Sequence, residues 1–231
     1  GSMSDMRSAS SSTARARSTS SLGIGHSSQR DEHKRAAVRR FGMQAMDECK
    51  SLFMYEELSL TDLLPTIMAK VLVLGSHGYL GCVLVPMLLR AGHHVTALDN
   101  LMFGQSVLLE HSRHENFEPH KVDVRDVSAV KPFLAGADVV IPLAGLVGAP
   151  ICNQNPIDAE LLNVTATRAL VESLSPEQLI IFPSTESVYG RQAELCDENT
   201  PAAPLVSYGA QKLAIEAALD GRPNSISFRM A

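Results

Sequence analysis

Hydrophobic positions change their period several times along this chain. From Lys70 onward, short apolar runs alternate with stretches whose apolar residues recur every three or four positions. Val71–Leu74, Val95–Leu98, Phe117–Val122, Val139–Leu143, Leu179–Phe182 and Ser225–Met230 read as strands. Between them, Leu80–Arg90, Val127–Leu134, Pro156–Leu174 and Val206–Leu219 carry the helical period. Strand alternating with helix predicts an α/β fold, a doubly wound parallel sheet covered on both faces (a Rossmann fold). No internal repeat is visible.

The region before Lys70 differs. Residues 1–30 hold eleven serines, four arginines and one acid, Asp5, with almost no large apolar side chain. Such a segment buries too little surface to offset its ordering entropy, so a disordered tail is expected. The Ser/Arg bias also suits an organellar transit peptide, and a plain solvated tail is the preferred reading. Gly1-Ser2 ahead of Met3 looks like the scar of a removed tag. Over residues 31–67, Ala37, Val38, Phe41, Ala45, Met46, Cys49, Leu52 and Phe53 repeat at helical spacing. A helical extension that packs on the main domain or on a partner is expected there, and Met68 stands as a candidate start of the domain that runs to Ala231.

Composition narrows the classes. A chain of 231 residues with 45% hydrophobic content builds one sizeable core, and a net charge of −5 gives no general case for nucleic acid or an anionic membrane. No apolar stretch reaches the roughly 18 residues that span a bilayer. Cys49, Cys82, Cys152 and Cys196 are scattered, with no Cys-x-x-Cys pair. No metal site is expected, and a reducing, cytoplasmic compartment fits.

Two motifs carry the chemistry. Gly75-Ser76-His77-Gly78-Tyr79-Leu80-Gly81 joins the first strand to the first helix. Its glycines serve a tight strand exit, a close approach of backbone to phosphate, and close helix–strand packing, with a dinucleotide pyrophosphate on the helix N-terminus. Asp99 ends the second strand, where a carboxylate accepts both ribose hydroxyls of NAD and repels the extra phosphate of NADP. The plainer reading of Asp99 is the cap of a turn.

Further on, Tyr208-Gly209-Ala210-Gln211-Lys212 places a phenol and an ammonium one helical turn apart. A nearby cation and a positive nicotinamide ring are expected to lower the phenol's pKa, making Tyr208 a base for a substrate hydroxyl. Ser184-Thr185-Glu186-Ser187-Val188-Tyr189-Gly190 follows the fifth strand, at the sheet edge where such folds bind ligands. A hydroxyl there suits the reacting oxygen, and Glu186 is either an acid/base group or a solvated carboxylate. His77 lies near the phosphate turn or is an exposed loop residue. His93-His94 reads as a helix-to-strand turn, and Cys152 either borders the substrate or packs.

These motifs resemble the extended short-chain dehydrogenase/reductase family, its nucleotide-sugar epimerases and dehydratases in particular, from Ala69 to Ala231. The resemblance implies NAD as cofactor, held by Gly75, Gly78, Tyr79, Leu80 and Gly81, by Asp99-Asn100, and by Asp123-Val124 at the adenine. It also implies that Leu143-Ala144-Gly145 lines the cofactor, that Asn163-Val164 lies in the next helix, and that Lys212 holds the nicotinamide ribose beside Tyr208. Thr185, four before Tyr189, takes the place of the catalytic Ser/Thr.

In the family's 4,6-dehydratases an acid stands two before the loop tyrosine. Here that position is Ser187, with Glu186 one place earlier, which favours an epimerase acting at C4 of a nucleotide sugar. Dehydratase, decarboxylase or reductase chemistry of the same family is the alternative. Relatives continue well past the Tyr/Lys pair, so the C-terminal substrate-binding part is expected to be missing and the isolated chain to be inactive. From another class, a non-catalytic dinucleotide-binding module with a partner-docking N-terminal segment remains open, as does a homodimer.

Overall fold

Lys70–Leu74 (β1) is the pivot of the molecule because its side chains feed two cores. Val71 and Val73 point to one face of the sheet, Leu72 and Leu74 to the other, and all four are buried. Period-2 alternation with apolar residues on both sides is the signature of a parallel strand covered on both faces. The computed structural model describes residues 68–192 and 195–230. The expected tail and helical extension before Met68 lie outside the described residues.

The sheet has six parallel strands in the order β3-β2-β1-β4-β5-β6. Beside β1 they are β2 (His94–Asp99), β3 (Phe117–Lys121), β4 (Val139–Pro142), β5 (Leu179–Thr185) and β6 (Ser225–Met230). All six expected strands are present. Helix α1 (Gly81–Arg90) covers one face through Val85, Leu88 and Leu89. On the other face lie α2 (Val127–Leu134), the helical stretch that runs from 156 to 173, and α6 (Ser207–Leu219). The strand order reverses between β1 and β4, and a crevice at that point is where open α/β sheets bind ligands.

Two details depart from the expected elements. A short helix α3 (Ala149–Gln154) follows β4, started by Pro150 near its N-terminus. The long helix expected over 156–174 is three pieces: α4 (Pro156–Ala159), a π-helical segment Glu160–Ala166, and α5 (Thr167–Ser173). Apolar spacing does not reveal a π turn, because one wide turn shifts the helical face without breaking the run. His93, in the turn before β2, is buried and accepts from the Ala69 N–H at 3.3 Å, with its pKa lowered by burial. That is a packing role.

Candidate active site

The glycine turn is shaped by what a side chain would strike. Gly75 has φ +81°, and a Cβ there would lie 2.5 Å from the Ala144 nitrogen. Gly81 opens α1 so close to the preceding backbone that a Cβ would lie 2.2 Å from the Ser76 oxygen. Gly78 differs: a Cβ there meets only the Gly75 oxygen, at 3.3 Å, so its lack of a side chain leaves backbone open to a ligand. No side chain caps the N-terminus of α1. The Cys82 and Val83 N–H groups bond the Gly78 and Leu80 oxygens, so an anion there would meet the positive end of the helix dipole and the backbone of the glycine turn.

Asp99 reaches into this turn. One carboxylate oxygen accepts the His77 N–H at 2.9 Å and the other the Leu101 N–H at 2.7 Å, with Leu101 in the left-handed region at φ +59°. Asp99 thus clips the end of β2 to the glycine turn. The turn-capping reading holds, and the residue still lines an open cleft. Gly75, His77, Gly78, Asp99, Asn100, Val122, Val124, Ala144 and Gly145 are among its lining. Asp123 is not: its carboxylate takes the Arg125 guanidinium at 2.6 and 3.0 Å and the Asn100 amide at 3.3 Å. Arg125 holds the Asp123 carboxyl well below the usual carboxylate range.

Across the sheet edge, Tyr208, Lys212 and Glu216 recur every fourth residue along α6, and the first two are buried against the end of β5. The Lys212 ammonium donates to the Pro183 oxygen at 2.7 Å and sits 4.8 Å from the Phe182 ring centre and 5.8 Å from that of Tyr208. Ser184 donates to Glu216, which also receives the Arg229 guanidinium at 2.7 Å. Arg229 in turn lies 4.8 Å above the Tyr189 ring. Thr185 Oγ1 accepts the Ser187 N–H at 3.2 Å. A Cβ on Gly209 would lie 2.6 Å from the Ser187 oxygen, so the turn after β5 rests directly on the start of α6. Thr185 ends β5 two residues after the Pro183 oxygen that holds Lys212, and Tyr208 stands one turn before Lys212 on α6; Glu186 is exposed on the first position of the turn after β5.

Burial governs the protons here. It pushes the Tyr208 phenol up, with Cys152 adding to the effect, and brings Lys212 down to about 8. The phenol shift runs opposite to the one expected from a nearby ammonium together with a nicotinamide ring, because burial of the phenolate dominates it.

The lysine shift has a stability consequence. Between about pH 8 and 10.5 the unfolded chain binds more protons at Lys212 than the folded one, so this residue's contribution to stability rises with pH across that window. Below pH 8 its burial penalty is fully present. Against a Lys212→Met variant, the unaltered chain should gain about 3 kcal/mol on going from pH 7.5 to 10.5. Denaturant unfolding of both across that range checks it; a constant difference would show that Lys212 does not titrate there.

The family described as "NAD dependent epimerase/dehydratase family" matches residues 71–224, most of the chain. The chain belongs to this family. UDP-glucose 4-epimerase 2 of Oryza sativa subsp. japonica is 34% identical over 159 residues, covering 63% of this chain and 38% of that protein. A UDP-N-acetyl-alpha-D-glucosaminuronate decarboxylase of Bacillus cytotoxicus is 29% identical over 121 residues, with 52% and 37% covered. Among solved structures, the UDP-N-acetylglucosamine 4-epimerase from Methanobrevibacter ruminantium M1 in complex with UDP-N-acetylmuramic acid superposes with a TM-score of 0.63. It is 26% identical, over 70% of this chain and 54% of that one. The chain spans less than half the length of the curated relatives it matches.

This family member also holds a buried polar chain that sequence reasoning missed. Asn163, in the π segment, accepts from the Leu146 N–H and donates to the Leu146 oxygen, both at 2.9 Å, and donates to Gln211 at 2.9 Å. Gln211 continues to Glu160 at 3.4 Å. The chain ties the turn after β4 to α6, and Gly145 leaves the room it needs, since a Cβ there would lie 2.9 Å from Asn163 Oδ1. A signal was present: Gln211 stands three after Tyr208, on the same helical face. Cys152 is buried, donates to the Leu146 oxygen at 3.3 Å and packs in one apolar cluster with Tyr208, which gives it a packing role beside the site. Among the described residues, no group of three metal-binding side chains occurs, and no helix is long and apolar enough to cross a membrane.

Proposed function

We propose that this chain is the cofactor-binding and proton-transfer part of an NAD-dependent nucleotide-sugar epimerase that oxidises a C4 hydroxyl. The observation that supports this reading is the buried Tyr208/Lys212 pair, with Lys212 held on the Pro183 oxygen near the carboxyl end of β5, in a fold that also has the cleft of the glycine turn and Asp99. The residues fit NAD: the uncapped start of α1 suits its pyrophosphate, Asp99 its adenosine ribose, and Ala144 and Gly145 the path onward to the site. NAD supplies, when bound, a hydride acceptor that returns the hydride to either face of the ketone.

Tyr208 takes the C4 hydroxyl proton and gives it back to the product. Thr185 donates a hydrogen bond to the same oxygen. Lys212, anchored on the Pro183 oxygen, keeps two further N–H donors for the nicotinamide ribose and holds a positive charge beside the phenol. Because burial raises the phenol's pKa, the base becomes effective only when a second positive charge joins that of Lys212. The decarboxylase relative keeps a second reaction of the same family in view, and the exposed Glu186 is its natural acid/base candidate.

Calorimetry tests the cofactor. NAD should bind more tightly than NADP, and Asp99→Ala should weaken NAD by about 10–100-fold, the range for hydrogen bonds to a charged group, and narrow the preference. Asp99→Asn, which keeps an acceptor for one backbone amide, separates ribose binding from the clip on the turn. Tighter NADP binding by the unaltered chain would sink the assignment.

A further inference from the structure

Along α6, Lys212 and Glu216 stand one helical turn apart, and both reach the end of β5. The Lys212 ammonium donates to the Pro183 oxygen at 2.7 Å, and the Glu216 carboxylate accepts from the hydroxyl of Ser184, the next residue of the strand. Ser184 is paired in the sheet with Arg229 of β6, and the Arg229 guanidinium closes on the same carboxylate, with Nη2 at 2.7 Å and Nε at 3.1 Å. Glu216 therefore joins α6 to facing positions on two strands. The ion pair is largely buried, with the Glu216 and Arg229 side chains 11% and 23% exposed. Such a pair adds little net stability, because desolvation offsets most of the attraction. What it does supply is position.

A single polar contact between helix and strand acts as a pivot. Two contacts spaced about 6 Å along the helix axis fix both its slide and its tilt. That matters for Lys212, whose tetrahedral ammonium has three N–H donors: with one held on the Pro183 oxygen, the other two are confined to a cone about that bond. Where they aim depends on how the Pro183 oxygen lies against α6. We infer that Glu216 is a positioning residue of the cofactor site. By holding Ser184 and Arg229 it sets the end of β5 against α6, and so aims the remaining donors of Lys212 at the nicotinamide ribose. This rests on the NAD reading above. In this role Glu216 touches neither cofactor nor substrate and acts only through Lys212.

Calorimetry with NAD and with ADP, which lacks the nicotinamide riboside, tests it on the unaltered chain and on Lys212→Met, Ser184→Ala and Glu216→Gln, with thermal melting to confirm that each folds. Lys212→Met should weaken NAD by about 10–100-fold, the range for hydrogen bonds from a charged group, and leave ADP unchanged. Ser184→Ala removes the tie to β5 and keeps the Glu216–Arg229 pair, so it should weaken NAD by about 3–10-fold, again with ADP unchanged. Glu216→Gln, which also breaks the ion pair, should do so at least as strongly. A merely structural role would move NAD and ADP together. Equal weakening of the two by Ser184→Ala, or no weakening of NAD, overturns the role of Glu216 while the NAD reading stands. Failure of Lys212→Met to separate NAD from ADP overturns the ribose role of Lys212, and failure of the folded, unaltered chain to bind NAD overturns the NAD reading; either takes this role with it.

Discussion

Tyr208→Phe should lower turnover of a nucleotide sugar by about 10²–10⁴-fold, the usual contribution of a positioned general base, with NAD affinity nearly unchanged. The loss is confined to the proton because the ring itself is what packs against Leu146, Cys152 and Ala159, and Phe preserves that contact. Lys212 keeps its bond to the Pro183 oxygen in the variant, so the ribose side of the site stays in place. The measurement is steady-state turnover of UDP-sugars, in a form of the protein that shows turnover, alongside NAD calorimetry. A near-normal rate would pass the role of base to another group, with Glu186 first in line. A fall in NAD affinity as large as the fall in rate would mean that the phenol serves binding.

The second large effect belongs to Gly75. Gly75→Ala forces a side chain into a left-handed backbone and drives its Cβ to 2.5 Å from one Ala144 atom and 2.6 Å from another, both backbone. Neither neighbour can swing aside, because the Ala144 N–H is itself bonded to the Leu74 oxygen at 2.8 Å. Strain of this kind, with overpacking added, costs about 2–6 kcal/mol, and NAD binding should vanish with the displaced turn. Gly92→Ala is the control: φ is +83° there, yet nothing lies within 4 Å, so only the backbone term of about 1–2 kcal/mol remains. Denaturant midpoints of the two variants give the comparison. Equal midpoints would mean that the contact with Ala144 relaxes without cost.

The central strands were legible because they lie in a parallel sheet covered on both sides, which demands runs such as Val71–Leu74 and Val139–Ile141 that few other settings require. The glycine turn was legible because its spacing reflects steric needs of single atoms. Helical spacing put Tyr208 and Lys212 on one face of α6, and strand order put Thr185 at the end of β5. Their roles rest on the proposal.

The direction of the phenol's shift was not legible, since pairwise spacing carries the ammonium's attraction but not the desolvation that a packed core imposes. Nor was the full length of β5. Pro183, Ser184 and Thr185 look like a loop in sequence, and they continue as buried strand because β6 pairs with them, with Lys212 and Glu216 of α6 bonding the Pro183 oxygen and the Ser184 hydroxyl. The partners lie some thirty residues away, beyond what local pattern can join.

The π segment absorbs a residue. Asn163 lies in the wide turn over Glu160–Ala166, where it meets Leu146 and Gln211. A wide turn takes one residue more than a regular α turn, so removing one residue there would restore regular α winding and leave the stretches on either side in phase. Leu170 and Val171 would keep their place in the core beneath the sheet, and the change would fall on Asn163 and its hold on the β4 turn. One residue of length in this helix is thus separable from its packing: an indel acts here on a polar joint between two elements and not on the core.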